Sequence, residues 1–210
     1  MSDDPVRRLI LILGGARSGK SAYAEALAAS VARARIVLYV ATATASDEEM
    51  RERIMAHQAN RPPHWRTVEA PLDPTSALER ALAQNPAPVV LLDCITLLAA
   101  NLLLDDAPHE GEVDATAGAA RLDDAIDALL ALYERSQFTL IVVSNEVGMG
   151  VVPPYPLGRA YRDILGRANT RLARAADATL LMIAGAPVEI STLTGAWEAR
   201  RRELFPDDEH

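Results

Sequence analysis

The sequence predicts an α/β fold with a mostly parallel central sheet and helices on both faces. Short apolar runs bounded by turn residues alternate with amphipathic stretches of helical length, as in successive βα units. The runs are continuous, which is typical of strands covered on both faces. The chain has 210 residues, of which 50% are hydrophobic, and it shows no internal repeat or low-complexity linker. We therefore expect a single domain over residues 1–210.

The elements follow in order along the chain. Strands are predicted at residues 9–13, 36–40, 89–92, 139–143 and 179–184. Helices are predicted at residues 20–34, 47–59, 74–84, 94–104, 114–135 and 158–176. A capping box at residues 46–49 opens the second helix, and Asp73-Pro74 opens the third. The remaining segments are predicted as a fixed turn at residues 61–65, a loop at 105–118 and a charged, solvated tail at 198–210.

Charge and composition exclude several classes of protein. Lys and Arg number 21 against 29 Asp and Glu, for a net charge of −8, so a nucleic-acid partner is not expected. Cys94 is the single cysteine, which excludes a disulfide framework and a cysteine-cluster metal site. The apolar runs fall short of the roughly 20 residues that cross a bilayer. We expect a soluble cytoplasmic protein with no membrane span.

The strongest motif is GGARSGKS, from Gly14 to Ser21, which satisfies the pattern G-x-x-x-x-G-K-[ST]. Its glycines let backbone amides surround a phosphate, and the helix that follows adds its positive end. Lys20, the only lysine of the chain, is placed to reach the β- and γ-phosphates, and the Ser21 hydroxyl can ligate Mg²⁺. A glycine-rich turn without a ligand is the competing interpretation.

Asp93 ends an apolar run and is therefore expected at the carboxyl end of a parallel strand. An acid in that place can hold Mg²⁺, directly or through water. The alternative is a turn or N-cap aspartate. Together with the phosphate loop, Asp93 indicates a nucleoside-triphosphate site, but kinases, motors and switches share both features.

Three further groups of residues leave functional and structural interpretations open. His57 lies near the end of the second helix, and its spacing alone favours a structural role over a chemical one; His64 is equally ambiguous. The segment Ser144–Gly150 should lie at the same edge as Asp93, either contacting substrate or as a plain connection. Arg167, Arg171 and Arg174 share a helix face, which favours a solvated basic face over a phosphate contact.

Five segments together resemble a known family: GGARSGKS, YVATAT, DEEMRERIMAHQANRPPHWRTVEAP, LLDCIT and the long stretch that begins SNEVGMG. The series resembles the bifunctional adenosylcobinamide kinase/adenosylcobinamide-phosphate guanylyltransferases of cobalamin biosynthesis, over roughly residues 9 to 190. The resemblance implies a RecA-like P-loop NTPase fold, a homotrimer and two reactions. Adenosylcobinamide is phosphorylated by ATP or GTP, and GMP from GTP is then passed to adenosylcobinamide phosphate through a guanylyl-histidine.

The resemblance also implies roles for particular residues. It matches the guanylylated histidine to His57, and Mg²⁺ to Ser21 and Asp93. The nucleotide contacts it implies are Gly14, Gly15, Ala16, Arg17, Ser18, Gly19, Lys20, Ser21, Ala41, Thr42, Ala43, Gln58, Ala59, Asn60, Arg61, Glu69 and Asp93. Many members carry Glu where this chain has Asp93. The rival hypotheses are a small-molecule kinase in which His57 is structural, and a nucleotide-dependent switch.

Overall fold

The computed structural model describes residues 6–44, 48, 51–52, 55, 61–105 and 114–204. The strands are β1 Leu9–Gly14, β2 Val37–Ala41, β3 Arg66–Glu69, β4 Val89–Asp93, β5 Thr139–Val143, β6 Ala178–Ile183 and β7 Ala186–Glu189. The helices are α1 Lys20–Ala32, α2 Pro74–Gln84, α3 Ile95–Leu104, α4 Ala115–Glu134, α5 Pro156–Ala175 and α6 Ile190–Leu204. The capping box at 46–49 and most of the predicted helix over 47–59 lie outside the described residues.

The seven described strands form one sheet in the order β3-β2-β4-β5-β1-β6-β7. Every neighbouring pair is parallel except β6 and β7, which run antiparallel. The five predicted strands are confirmed with small shifts at their ends. Strands β3 and β7 were not predicted, because each has four residues and neither forms a buried apolar run. The mostly parallel sheet that the sequence predicts is thus confirmed.

Alternate residues of the central strands pack into two separate hydrophobic cores, one on each face of the sheet. On one face, Ile12 and Leu91 pack with the small residues of α1, Ala24, Ala28 and Ala32, whose four-residue spacing places them on one side of that helix. On the other face, strand residues such as Leu38 pack with the leucines and isoleucines of α2, α3, α4 and α5. Burial of each leucine or isoleucine side chain contributes about 1.5–3 kcal/mol to the stability of the fold. Helices on both faces of the sheet are confirmed.

The C-terminal segment differs from its prediction. Residues 190–204 form α6, whereas the sequence analysis placed a charged tail from 198 onward. The helix has a weak sequence signal because its apolar residues Leu193 and Trp197 are 59% and 53% exposed. Within the described part of the chain, no helix is both long and apolar enough to cross a bilayer.

The start of α2 shows the predicted cap. Pro74 is the first helical residue, and the Asp73 side chain accepts a hydrogen bond of 3.0 Å from the Ser76 amide. This bond is the largest cause that lowers the pKa of the Asp73 carboxyl below its ordinary value of 3.8. The cap therefore stabilises the fold above that value, and its contribution is lost as the pH falls through the lowered pKa.

Replacing Asp73 with alanine is expected to lower the free energy of unfolding by about 1 kcal/mol at neutral pH, because the Ser76 amide loses its acceptor. Asp73→Asn keeps an acceptor without the charge, so it should retain most of that stability. Urea titrations at neutral pH and at about pH 3 measure both effects, and the deficit of Asp73→Ala should shrink in acid. Equal losses for the two variants would contradict the capping role.

Candidate functional site

The loop between β1 and α1 is shaped by two of its glycines. A Cβ on Gly14 would lie 2.6 Å from the Ser18 Oγ and 2.8 Å from the Met182 carbonyl oxygen, so only glycine fits there. Gly19 has a φ of 90°, in the left-handed region that other residues rarely adopt. The loop is closed by the Gly185 amide, which donates to the Ser18 carbonyl at 3.0 Å.

The loop presents exposed backbone amides and one side-chain charge, both of which suit an anion. Gly15, Ala16 and Arg17 are exposed, and α1 begins immediately after them at Lys20. Lys20 is 8% exposed, and its ammonium donates to the Gly15 carbonyl at 2.8 Å, so the ammonium lies over the loop. Ser21 follows on the first turn of the helix. Exposed amides, the positive end of a helix and a nearby ammonium form a cradle for phosphate groups.

Asp93 lies at the same carboxyl edge of the sheet as this loop. It pairs in register with Ala41 and Val143, and Ala41 also pairs with Glu69, so four strand ends form one row. Strand β5 lies between Asp93 and the phosphate loop. Asp93 thus lies at the edge of the sheet that its sequence position predicts. The contact of Asp93 with a ligand stays a prediction, and so does the nucleotide contact of Glu69.

A tyrosine that the sequence analysis missed holds the Asp93 carboxylate. The Tyr39 hydroxyl donates to Asp93 Oδ2 at 2.9 Å, and the tyrosine is 4% exposed. Burial, and then the negative charge of Asp93, raise the pKa of Tyr39 far above its ordinary value. The hydroxyl therefore stays protonated and remains a donor. A tyrosine inside an apolar strand gives only a signal for the core, so the sequence pattern could not single it out.

Arg61 packs on the ring of the same tyrosine. Its Cζ atom lies 3.3 Å from the centroid of the Tyr39 ring, and its Nε lies 3.7 Å from Glu25 Oε1 on α1. The Arg61 side chain is 7% exposed and also donates to the Thr67 hydroxyl at 3.1 Å. The nucleotide contact expected of Arg61 stays a prediction. The neighbouring predicted site residues His57, Gln58, Ala59 and Asn60 lie outside the described residues.

Thr42 joins the ends of β2 and β4. Its side chain is fully buried; Oγ1 accepts from the Cys94 amide at 2.8 Å and donates to the Cys94 carbonyl at 2.7 Å. Asn101 donates to the Thr42 carbonyl at 2.8 Å. Nucleotide contacts at Ala41, Thr42 and Ala43 stay predictions. The Thr42 side chain therefore holds together the chain segments that follow β2 and β4, a structural role that the sequence pattern did not predict.

Cys94 follows Asp93 in the sequence and packs against the core between the sheet and α1. Burial, and then the negative charge of Asp93, raise the pKa of its thiol to about 11. The thiol stays protonated at neutral pH and is a poor nucleophile.

The segment after β5 is tied to the phosphate loop. The Glu146 amide donates to the Gly14 carbonyl at 3.1 Å, and the backbone of Asn145 is held on both sides. Its amide donates to Thr96 Oγ1 at 2.7 Å, and its carbonyl accepts from Asn169 Nδ2 at 2.9 Å. These bonds place residues 144–146 at the carboxyl edge of the sheet, as the sequence predicts for that segment.

Other residues singled out in the sequence lie elsewhere or carry other contacts. His64 is exposed on the predicted turn, beside the buried Trp65. Arg171 pairs with Asp123 at 2.9 Å and with Asp127, which joins α5 to α4. In the structure Arg171 is paired with these two acids and not left as a solvated charge.

A phosphate loop between β1 and α1, with an acid at a strand end on the same edge, defines a P-loop NTPase fold. An ATPase domain of known structure shares this fold with a TM-score of 0.50 at 15% identity, over 83% of this chain and 69% of its own. A KaiC-like protein from Pyrococcus horikoshii aligns with a TM-score of 0.49 at 12% identity, over 85% of this chain and 72% of its own.

Within that class, the chain belongs to the cobinamide kinase / cobinamide phosphate guanyltransferase family, whose model matches residues 10–190. The bifunctional adenosylcobalamin biosynthesis protein CobU of Salmonella typhimurium is 43% identical over 186 residues, or 87% of this chain and 99% of that protein. The corresponding protein CobP of Pseudomonas aeruginosa is 43% identical over 180 residues, or 86% of this chain and 95% of that protein. The family resemblance seen in the sequence is confirmed.

Proposed function

We propose that this protein is a bifunctional enzyme of cobalamin biosynthesis that phosphorylates adenosylcobinamide with ATP or GTP and then attaches GMP from GTP to the new phosphate. The products of the second step are adenosyl-GDP-cobinamide and pyrophosphate. Membership of the family carries the proposal, because the P-loop fold alone is shared by kinases, motors and switches. The phosphate cradle and Asp93 on one edge supply the nucleotide site that both reactions need.

In the first step, the loop from Gly14 to Ser21 binds the triphosphate through its amides. Lys20 neutralises charge that develops on the β- and γ-phosphates as the substrate hydroxyl attacks the γ-phosphorus. The bond between that phosphorus and the bridging oxygen breaks, and the nucleoside diphosphate leaves. The hydrogen bond to the Gly15 carbonyl holds the Lys20 ammonium over the loop, so charge and amides are positioned together for the triphosphate.

Ser21 and Asp93 suit Mg²⁺, because hydroxyl and carboxylate oxygens are the ligands that this ion prefers. The Tyr39 hydroxyl donates a hydrogen bond to Oδ2 of Asp93. The other carboxylate oxygen, Oδ1, accepts no hydrogen bond from the residues that the structure describes. One oxygen of this carboxylate is thus left for a cation or its water. Bound Mg²⁺ would neutralise phosphate charge and orient the triphosphate.

In the second step, we assign the nucleophile to His57 on the family resemblance. A neutral imidazole nitrogen attacks the α-phosphorus of GTP, the bond to the β-phosphate oxygen breaks and pyrophosphate leaves. A phosphate oxygen of adenosylcobinamide phosphate then attacks the same phosphorus and the N–P bond breaks. Protonation of the imidazole would remove the attacking lone pair, so this step should slow in acid as His57 becomes charged.

Two labels distinguish the proposed function from its rivals. Purified protein is given adenosylcobinamide with γ-labelled ATP, and then unlabelled adenosylcobinamide phosphate with α-labelled GTP. Label is expected on the corrinoid in both reactions, with pyrophosphate released in the second. Transfer of the γ-label alone would leave a kinase, and hydrolysis without any labelled corrinoid would leave a switch.

The assembly and location are also proposals. The family resemblance supports a homotrimer in the cytoplasm, with adenosylcobinamide, its phosphate and the nucleotides as its partners. Light scattering on a gel-filtration column should give a mass of three chains, each of 22.6 kDa. A mass of one or two chains, at the protein concentration used in the activity assays, would overturn the proposed trimer and leave the two proposed reactions unaffected.

A further inference from the structure

Tyr39 is fixed from several sides at the centre of the site. Its ring belongs to the core between the sheet and α1, beside Val37 and Leu91, and the residue is 4% exposed. Its hydroxyl emerges at Asp93, whose carboxylate is only partly buried. A carboxylate turns readily about its last torsion, since that torsion has broad minima. The rigid hydroxyl removes this freedom by holding Oδ2 and so determines where Oδ1 points.

The face of the same ring supports a buried cation. The Arg61 guanidinium lies 3.3 Å from the ring centroid with 7% of its side chain exposed. A cation withdrawn from water needs compensation, which the ring face and the Glu25 carboxylate at 3.7 Å supply. One tyrosine therefore contacts a strand-end acid with its hydroxyl and an arginine with its ring.

Arg61 is close along the chain to the proposed nucleophile. Arg61 stands four residues after His57 in the sequence, and its contacts with Tyr39 and Glu25 fix the position of Arg61 itself. Asp93, on the other side of Tyr39, is 54 residues from it in sequence. Tyr39 is thus in contact with both Asp93 and Arg61.

We propose that Tyr39 is a positioning residue for both reactions: its hydroxyl orients Asp93 toward the metal-nucleotide complex, and its ring anchors the chain next to the His57 segment. The proposal rests on the function proposed above. Tyr39 itself contacts neither the phosphates nor the reacting atoms; it acts through Asp93 and Arg61. The two contacts can be removed in turn, because Tyr39→Phe deletes only the hydroxyl and Tyr39→Leu deletes the ring as well.

The test uses the full chain and Mn²⁺ as a spectroscopic probe, with a non-hydrolysable GTP analogue. Tyr39→Phe is expected to bind Mn²⁺ about tenfold more weakly in the presence of the analogue, as when a partner that orients a metal ligand is lost. Its affinity for the analogue in EDTA should stay unchanged. Tyr39→Leu is expected to show the same weakening and, in addition, a roughly tenfold slower formation of guanylyl-enzyme relative to phosphoryl transfer.

Tyr133 offers a matched control at a distance from the site. It is also a buried tyrosine with an arginine over its ring, with Arg7 Cζ at 4.3 Å from the centroid, and Asp177 acts on its hydroxyl. Tyr133→Phe and Tyr133→Leu should leave Mn²⁺ affinity and the ratio of the two rates unchanged. Unaltered Mn²⁺ binding by Tyr39→Phe would overturn the proposal. If the wild-type protein bound no metal-nucleotide complex, the proposed function would fail instead.

Discussion

The His57→Asn variant is expected to form no guanylyl-enzyme and to lose transfer of GMP by at least about 10³-fold, while phosphorylation of adenosylcobinamide continues. Asparagine keeps the size and polarity of the side chain but has no nitrogen lone pair able to attack phosphorus. The proposed kinase step needs no such nucleophile, because the substrate hydroxyl attacks directly. A selective loss would therefore identify the residue that separates the two reactions.

The measurement is retention of label on denatured protein after incubation with Mg²⁺ and GTP. Label from the α-phosphate should be retained by the wild type, be stable in alkali and be lost in acid, whereas γ-label should not be retained. His64→Asn is the matched control, because His64 is exposed on the turn seven residues later. An adduct of undiminished yield on His57→Asn would show that another group carries GMP.

Replacing Lys20 with alanine is expected to reduce both proposed reactions by about 10³-fold or more, because we propose that the same loop binds the triphosphate in each. The ammonium lies over the loop, 2.8 Å from the Gly15 carbonyl, and it is the only lysine in the chain. Arginine should not restore activity, since its planar guanidinium is larger than the ammonium and has a different hydrogen-bond geometry.

Initial rates of phosphoryl and guanylyl transfer measure this effect, and circular dichroism shows whether the variant folds. Arg33→Ala, at the far end of α1, serves as the control that alters charge on the same helix away from the loop. A Lys20→Ala variant that lost one reaction and kept the other would mean that the two triphosphates bind in different places.

The contrast between confirmed and missed strands has a simple physical cause. Continuous apolar runs such as residues 139–143 are buried on both faces, so their composition alone marks them. Strands β3 and β7 lie at the edges of the sheet, where few of their residues are buried. Helix α6 was missed for a similar reason, since its apolar residues remain half exposed. Elements that bury little apolar surface leave a weak pattern in the sequence.

The site divides in the same way between local and distant determinants. The phosphate loop is local: Gly14, Gly19 and Lys20 lie within seven residues, and their backbone requirements are written in the residue types. Asp93 could be placed because parallel strands present their carboxyl ends at one edge. The side-chain contacts of Tyr39 and Thr42 could not be predicted, because their partners at Asp93 and Cys94 are more than 50 residues away in sequence.

The sequence by itself determined the α/β class, the phosphate loop, the strand-end acid and, through five ordered segments, the family. Each of these depends on the residue types within a short stretch of chain or on the order of such stretches. Only the tertiary structure decided that β5 separates the loop from Asp93, that Thr42 joins two rim segments and that Tyr39 contacts both Asp93 and Arg61. Those facts follow from the order of strands in the sheet, which brings residues together that no local pattern relates.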